Sequence, residues 1–572
     1  MARSVIDPIT RIEGHLRVEM EVDSHGVVSD AWVSGGCFRG MELIVKDRAP
    51  EDAAHIVQRI CGVCPVSHTS CSSIAAEQAY GITIPNNARI IRNLIEGGQF
   101  LHSHILWFYN LAALDFVNPL NALSADVAGT YDLALEAGLS TATDFKALKE
   151  RLAAFAANGQ LSIFSGNWFD ADGGTAYKLP PEADLICTAH YLEALKMQAR
   201  ASEICGLLGG KMPHVMTIVP GGTPFVPTAQ KLDDLKYMVD EVAAWVEKTM
   251  IPDTMVIGSV YSDAFGFGKG VGRYVSWGVF ERAFDENTSY IDRMKNRYMP
   301  MGVLDDSLRV SDVDESMITE YMGHSWYKGD ETHTAPYYIT EPEYTEYYKS
   351  GTMTRQGIRD IGTVNDKYTW VKCPQYGGKP YEAGSLSRIL AAYVRGNSFI
   401  RTEINKMLVG FGAGSGNISA LQNTLGRIAS RQVEAYYISK LMQEWVAELI
   451  EAVKGGDSSY FVAPKNLTGV GSGFWEAPRG ALYHNETVVN GKIEGYHIII
   501  PSTWNLAPHN KDGEYGPMEK ALIGVPVGTI EKPINALRTA HSFDPCVACA
   551  VHISQPSTGK HFETVTNPWG VK

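Results

Sequence analysis

A chain of 572 residues, 45% of them hydrophobic and 20% charged, can enclose a large core and is too apolar to stay disordered. Its net charge of −14 repels phosphate backbones and anionic lipid, so no nucleic acid is expected as a partner and the membrane is expected only through partner subunits. No stretch reaches the roughly 20 apolar residues of a membrane span, and Met1–Arg3 runs straight into Asp7 and Arg11, so the chain reads as carrying no export signal of its own.

Taken in chain order, Val18, Met20 and Val22 alternate with Arg17, Glu19 and Glu21; Asp23–Gly26 then supplies turn residues ahead of Val27, Val28 and Val33, which predicts a hairpin. Apolar residues recur at helical spacing over 88–117, 183–208, 229–249, 385–408 and 418–453, and each stripe is expected to face a core. The Pro-, Gly- and Tyr-rich stretches 165–181, 262–275 and 327–380 read as long ordered loops, because flexible linkers are poor in aromatic residues. The expected fold class is mainly α with small β elements near both ends, built as a large helical-bundle core.

Nine cysteines are odd in number and too sparse for a disulfide framework, and four of them form two C-x-x-C pairs. The first stands in Arg59-Ile-Cys-Gly-Val-Cys-Pro-Val-Ser-His68 and the second in Asp544-Pro-Cys-Val-Ala-Cys-Ala-Val-His552. Four thiolates select soft or borderline metals: zinc, iron–sulfur, or nickel and iron. Structural zinc usually staples a small module, whereas this site joins opposite ends of a chain that needs no staple, and it implies that the two ends meet. Charged motifs bracket both pairs: Arg11-Ile-Glu-Gly-His15 and Phe38-Arg-Gly-Met-Glu42 precede the first, and Glu476-Ala-Pro-Arg-Gly480 and Pro501-Ser-Thr-Trp-Asn505 precede the second. Singly, each Glu or Arg reads as solvated or structurally paired; together they mark a place of chemistry.

With His104–Asp115, His324-Ser-Trp-Tyr327 and Tyr381-Glu-Ala-Gly384, these motifs make essentially the whole chain resemble the large, catalytic subunit of nickel–iron hydrogenases, in particular the respiratory uptake type. The resemblance implies the hydrogenase large-subunit fold as one domain over 1–552, with a tail, 553–572, removed after His552 by a maturation endopeptidase. It implies reversible heterolytic cleavage of H2 at a Ni-Fe centre with Fe(CO)(CN)2. Cys61 and Cys546 would be terminal nickel ligands, and Cys64 and Cys549 would bridge nickel to iron. His68 would donate to a bridging sulfur, and Glu13 would take the proton from Cys546. Arg479 would sit above the open metal position, held by Asp115 and Asp544. Ser502 and the backbone of Ala477, Pro478 and Arg479 would donate to the cyanides. Magnesium, or iron, would be bound by Glu42, His552 and the carbonyl of Ile498. Cysteine at 546 excludes the selenocysteine variant, and Cys37, Cys71, Cys187, Cys205 and Cys373 match no ligand motif and read as small buried hydrophobes. With no further cysteine cluster, electrons must leave through an iron–sulfur small subunit. Co-export with that subunit would bring the chain to the periplasm or the outer face of the cytoplasmic membrane. The alternatives are a hydrogen-sensing relative with the same site, and a noncatalytic respiratory-complex relative, which should lack one or more of the four cysteines.

Overall fold

The computed structural model describes residues 2–36, 38–164, 166–285, 287–333, 342–343 and 367–547. The N-terminal hairpin is present and carries one more strand than its alternation signalled: β1 (Ala2–Ile6), β2 (Leu16–Val22) and β3 (Val28–Gly35) pair antiparallel in that order. Val18, Met20 and Val22 are buried, as their period of two requires.

The helical stripes form the core, with boundaries set by local chemistry. α1 (Pro65–Tyr80) starts with Pro65 in its first turn, where a missing N–H costs nothing, and ends at Gly81 in the left-handed conformation, φ 65°. Its sequence gave no apolar stripe because the helix is enclosed on all sides: every residue but Gln78 is buried, many of them serine or alanine. α2 (Asn86–Ile105) runs on through a π-helical turn, Leu106–Ala112, into a 3-10 turn, Ala113–Asp115. α3 (Pro181–Gly209) and α4 (Ala229–Trp245) follow. The stripe expected over 385–408 is two helices, α5 (Ser385–Val394) and α6 (Ser398–Gly410), broken where Gly396 adopts φ 92° and the Asn397 side chain caps α6. α7 (Thr424–Lys454) is the longest, at 31 residues. α2 packs against α3 and α7, and α7 against α4. Among the described residues no helix is long and apolar enough to cross a membrane. The stretches expected as loops over 262–275 and 327–380 contribute short strands to two four-stranded sheets, such as Tyr274–Ser276 and Cys373–Tyr376.

Near the other end, β4 (Gly469–Ala477), β5 (Gly480–Val489) and β6 (Lys492–Ile499) form an antiparallel meander on which α1 lies. Gly469, Gly471 and Gly473 point the same way from β4, and a Cβ on any of them would overlap the carbonyl oxygen of Ala79, Ala75 or Cys71 respectively. The match is geometric. Four helical residues rise about 6 Å and two strand residues about 6.6 Å, so every second strand position meets every fourth helix carbonyl. This stripe seats α1, and α1 begins one residue after Cys64. α8 (Ile534–Ser542) leads the chain back to the centre from the C-terminal side.

Candidate metal centre

Cys61 sits in extended backbone after a 3-10 turn, and Cys64 is the residue that caps α1. The N-terminal dipole of a helix favours anionic sulfur. Two backbone amides, of Val63 and Cys64, donate to Cys61 Sγ at 3.3 and 3.2 Å. From the far end, Cys546 Sγ lies 3.2 Å from Cys61 Sγ, and the sulfurs of Cys61, Cys64 and Cys546 all fall within 4.8 Å of one another in a buried cluster with Ala477. The ends of the chain therefore meet. Glu13 and Cys546 form a parallel bridge in which the Glu13 amide donates to Pro545 O (3.3 Å) and the Val547 amide to Glu13 O (2.6 Å). Cys546 Sγ donates to Glu13 Oε2 at 3.2 Å, so the carboxylate expected to receive a proton touches the sulfur expected to release it. Cys549 and His552 lie outside the described residues, as do Cys37 and the tail 553–572.

Pro478 and Arg479 make the tight turn between β4 and β5, closed by Gly480 at φ 135°, where a Cβ would collide with Ala383 and Gly384. Arg479 is buried, with Nη2 3.0 Å from Asp544 Oδ1. Its Nε and Nη1 have no hydrogen-bond partner among the described residues. Burial works against its charge, but Asp544 and the sulfurs of Cys546, Cys64 and Cys61 outweigh burial and hold it firmly protonated.

Asp115 is not the second carboxylate on Arg479. Its oxygens pair with Arg11 Nη2 at 2.5 Å and His541 Nδ1 at 2.6 Å. The expected alignment of His104, Phe108, Leu111 and Asp115 assumed α-helical spacing, and the π turn at Leu106–Ala112 breaks it. A buried Asp115 does need a cation, and Arg11 is that cation; against the upward push of burial, Arg11 and His541 bring its pKa down to about 2.

Sequence reasoning missed the residue that fixes Arg479. Arg388, fully buried on α5, donates to Ala477 O (2.9 Å) and Pro478 O (2.8 Å), and so grips the turn itself. It also pairs with both oxygens of Glu434 (2.5 and 2.7 Å) and with Glu476 Oε2 (2.6 Å). Glu476, quoted above among the motifs of chemistry, is thus a strut, its other oxygen accepting from the Trp277 amide at 2.6 Å. The only available sequence signal was one arginine inside an apolar stripe.

The remaining expected residues fall around the same centre. Ser502 Oγ accepts from the Cys546 amide at 3.0 Å, so it positions the ligand backbone. His68 is buried, with Nδ1 3.3 Å from His484 Nε2, and Nε2 has no hydrogen-bond partner among the described residues; burial lowers its pKa to about 4. Glu42 Oε1 accepts from the Ile498 amide (2.9 Å) and lies 3.3 Å from His497 Nδ1, beside Glu320 and Lys372, which the motifs did not flag. A cavity of about 110 Å³ lies between Glu42, Lys372, Ile498 and Cys546. Cys71, Cys187, Cys205 and Cys373 are buried and pushed up by that burial, which suits inert packing.

Three converging sulfurs with amide donors, plus a buried guanidinium with two open N–H groups, fit a thiolate-bound metal carrying small anionic ligands. Fold and site together define a large helical protein with a buried thiolate metal centre. A family model described as nickel-dependent hydrogenase matches residues 39–552, and one described as HoxL-like matches 3–34. The Hydrogenase-2 large chain of Escherichia coli K12 is 38% identical, covering 96% of this chain and 97% of its own. The uptake hydrogenase large subunit of Rhizobium leguminosarum bv. viciae is 37% identical, covering 97% and 96%. The reduced Ni-Fe-Se hydrogenase from D. vulgaris Hildenborough superposes with a TM-score of 0.76 at 32% identity, covering 96% of this chain and 100% of that one. The chain belongs to the nickel-dependent hydrogenase family.

Proposed function

We propose the following division of labour in this chain, the catalytic large subunit of an uptake-type nickel–iron hydrogenase. The observation that carries it is the convergence of sulfurs 485 residues apart in sequence, directly against the Glu13 carboxylate. Cys61, Cys64 and Cys546, with Cys549, hold nickel and an iron carrying carbonyl and cyanide. When bound, this centre supplies the redox couple at which H2 is split to two protons and two electrons. Cys546 Sγ takes up a proton and passes it to Glu13 Oε2, 3.2 Å away, and Glu13 releases it outward. Arg479, fixed by Asp544 and by the Arg388-held turn, presents its open N–H groups to the reacting position, while the buried walls keep bulk water out. Ser502 sets the Cys546 backbone, and its hydroxyl proton, with the amides near Ala477, serves the cyanides.

Glu42 with His552 and the Ile498 carbonyl binds magnesium or iron. Relatives named as large chains and large subunits support a small subunit as partner, which we take to carry iron–sulfur clusters as the electron exit; co-export with it would bring the chain to the periplasm or the outer face of the cytoplasmic membrane. Residues 1–552 form the working domain and a maturation endopeptidase removes 553–572. The test is compositional. The purified complex should contain nickel and iron, show carbonyl and cyanide infrared bands, oxidise H2, and carry a large subunit ending at His552 by intact mass. Zinc alone without those bands would defeat the reading, and active nickel-loaded enzyme ending at Lys572 would defeat the processing.

A further inference from the structure

α1 does not cap itself. Cys64 holds the position whose side chain ordinarily accepts from the second or third amide of a helix, yet its side chain makes no cap hydrogen bond, and its sulfur belongs to the thiolate cluster. Pro65 has no N–H, so the Val66 amide is the first in α1 that needs an acceptor. That acceptor comes from another helix: Gln99 Oε1 of α2 takes the Val66 N–H at 2.6 Å. The orientation of the Gln99 amide follows from the chemistry, because a backbone N–H can only donate and the atom facing it must be the oxygen.

With its oxygen so committed, Gln99 turns both protons of Nε2 to the same turn of α1 and to its own helix. One goes to Ser67 Oγ at 2.7 Å and the other to Glu96 Oε1 at 3.0 Å. Ser67 Oγ donates in turn to Glu96 Oε1 at 2.5 Å, and Ser70 Oγ to Glu96 Oε2 at 2.9 Å. All five residues are buried, and none of these side-chain atoms is left open among the described residues. Two helices can be packed with apolar side chains alone; a closed buried polar set fixes one arrangement of them against others.

The helix that supplies the cap is itself held tightly. Glu96 and Gln99 stand three apart and so share a face of α2, and the two residues between them are glycines. A Cβ on Gly97 would lie 2.8 Å from Met442 Sδ of α7, and one on Gly98 2.8 Å from Cys205 Sγ of α3. The Glu-Gly-Gly-Gln run therefore does two things at once: its glycines let α3 and α7 close on α2, and its polar pair carries the fixed position of α2 across to the first turn of α1.

We propose that Gln99 and Glu96 are positioning residues of the metal centre: by capping α1 from α2, Gln99 leaves the Cys64 sulfur to the metal and sets where it points, and Glu96 holds Gln99 in the orientation that does so. This rests on the hydrogenase reading. Without the cap, the side chain placed to take the Val66 amide is that of Cys64 itself, and a sulfur drawn towards the helix would be a differently aimed and less electron-rich ligand.

The test uses the purified complex and three variants: Gln99→Met, which keeps length and volume, Gln99→Glu, and the swap of Glu96→Gln with Gln99→Glu. Gln99→Glu keeps an acceptor for Val66 but has no N–H for Ser67 and sets a second carboxylate against Glu96; the swap restores one amide and one carboxylate. Turnover per nickel should fall about 10- to 100-fold in both single variants, with the carbonyl and cyanide infrared bands displaced. In the swap both should return, turnover to within about threefold of wild type. Deuterium uptake at the Val66 amide, read with or without metal, should quicken in Gln99→Met and stay slow in the swap. Gln99→Met with wild-type bands and turnover within about twofold overturns the proposal, whatever its melting midpoint, because a contact that only stabilised would leave the centre unchanged. A swap no better than Gln99→Glu also overturns it, and that comparison decides the matter if Gln99→Met fails to assemble. A wild-type complex lacking nickel and those bands would sink the hydrogenase reading, while deuterium uptake would still show whether Gln99 caps α1, so the two failures are distinguishable.

Discussion

Replacing Arg388 by methionine keeps most of the volume and removes the group on which the Arg479 turn hangs. The guanidinium makes hydrogen bonds to Glu434, Glu476, Ser385 and the carbonyls of Ala477 and Pro478, all without solvent. Deleting one partner of a buried ion pair leaves an uncompensated charge and costs about 3–5 kcal/mol. The lower end is expected. Glu476, which burial already raises to about 7, can take a proton in the variant, whereas Glu434, held well below the usual carboxylate range by Arg388 against its burial, keeps His104 at 2.9 Å. Unfolding entropy near 2.1 cal/mol/K per residue over this chain amounts to about 1.2 kcal/mol/K, so the melting midpoint should fall by only about 3 °C. Turnover should suffer far more, since a shift of about 1 Å in a positioned group costs up to about 100-fold. Calorimetry of the complex, nickel analysis and dye-coupled H2 oxidation together decide it. A midpoint within about 1 °C of wild type and turnover per nickel within about twofold would refute the anchoring role.

Arg479→Lys should keep nickel and iron yet lower turnover by about 10²-fold, because an ammonium cannot pair with Asp544 and still offer two fixed N–H groups; an unchanged rate at full metal content would show the fork is dispensable. Gly471→Ala drives a methyl into the Ala75 carbonyl and should cost about 1–3 kcal/mol or more while displacing α1, read out as a lower midpoint and poorer nickel retention; a wild-type midpoint would mean that helix and strand can separate freely. Asp115, brought from 3.8 to about 2, contributes stability that is fully present above its unfolded value and is lost as the pH falls through about 2. About 2 kcal/mol should therefore disappear between about pH 5 and pH 2, and Asp115→Asn, whose stability should lack that acid-range slope, provides the comparison; identical acid limbs would contradict it.

The site was legible where chemistry demands particular atoms. Cys61, Cys64 and Cys546 converge because sulfur spacing and helix capping are written locally, and Glu13 and Arg479 stand in short motifs beside them. The long stripes were legible because one face of each meets the core, as in α3 and α7. What failed depends on neighbours far along the chain. α1 has no polar face to contrast with an apolar one, so periodicity has nothing to detect. The partner of Asp115 turned on a π turn whose extra residue rotates everything beyond it, and residue spacing alone does not announce that insertion. Arg388 looks in sequence like any charged residue, and Arg11 was flagged only as part of a motif; their pairing with Glu434 and Asp115 is what distinguishes them.

The bridge between Glu13 and Cys546 also sets a clock. At about 5–20 residues per second, a ribosome needs roughly 25–100 s to cover the sequence separation of 485 residues from Cys61 to Cys546. Throughout that interval the first thiol pair exists without its counterpart, open to the soft and borderline ions that thiolates select, zinc among them. If Cys61, Cys64 and Cys546 hold one centre, as proposed, the complete donor set exists only after synthesis has passed Cys546, and metal delivered earlier would meet only half of it.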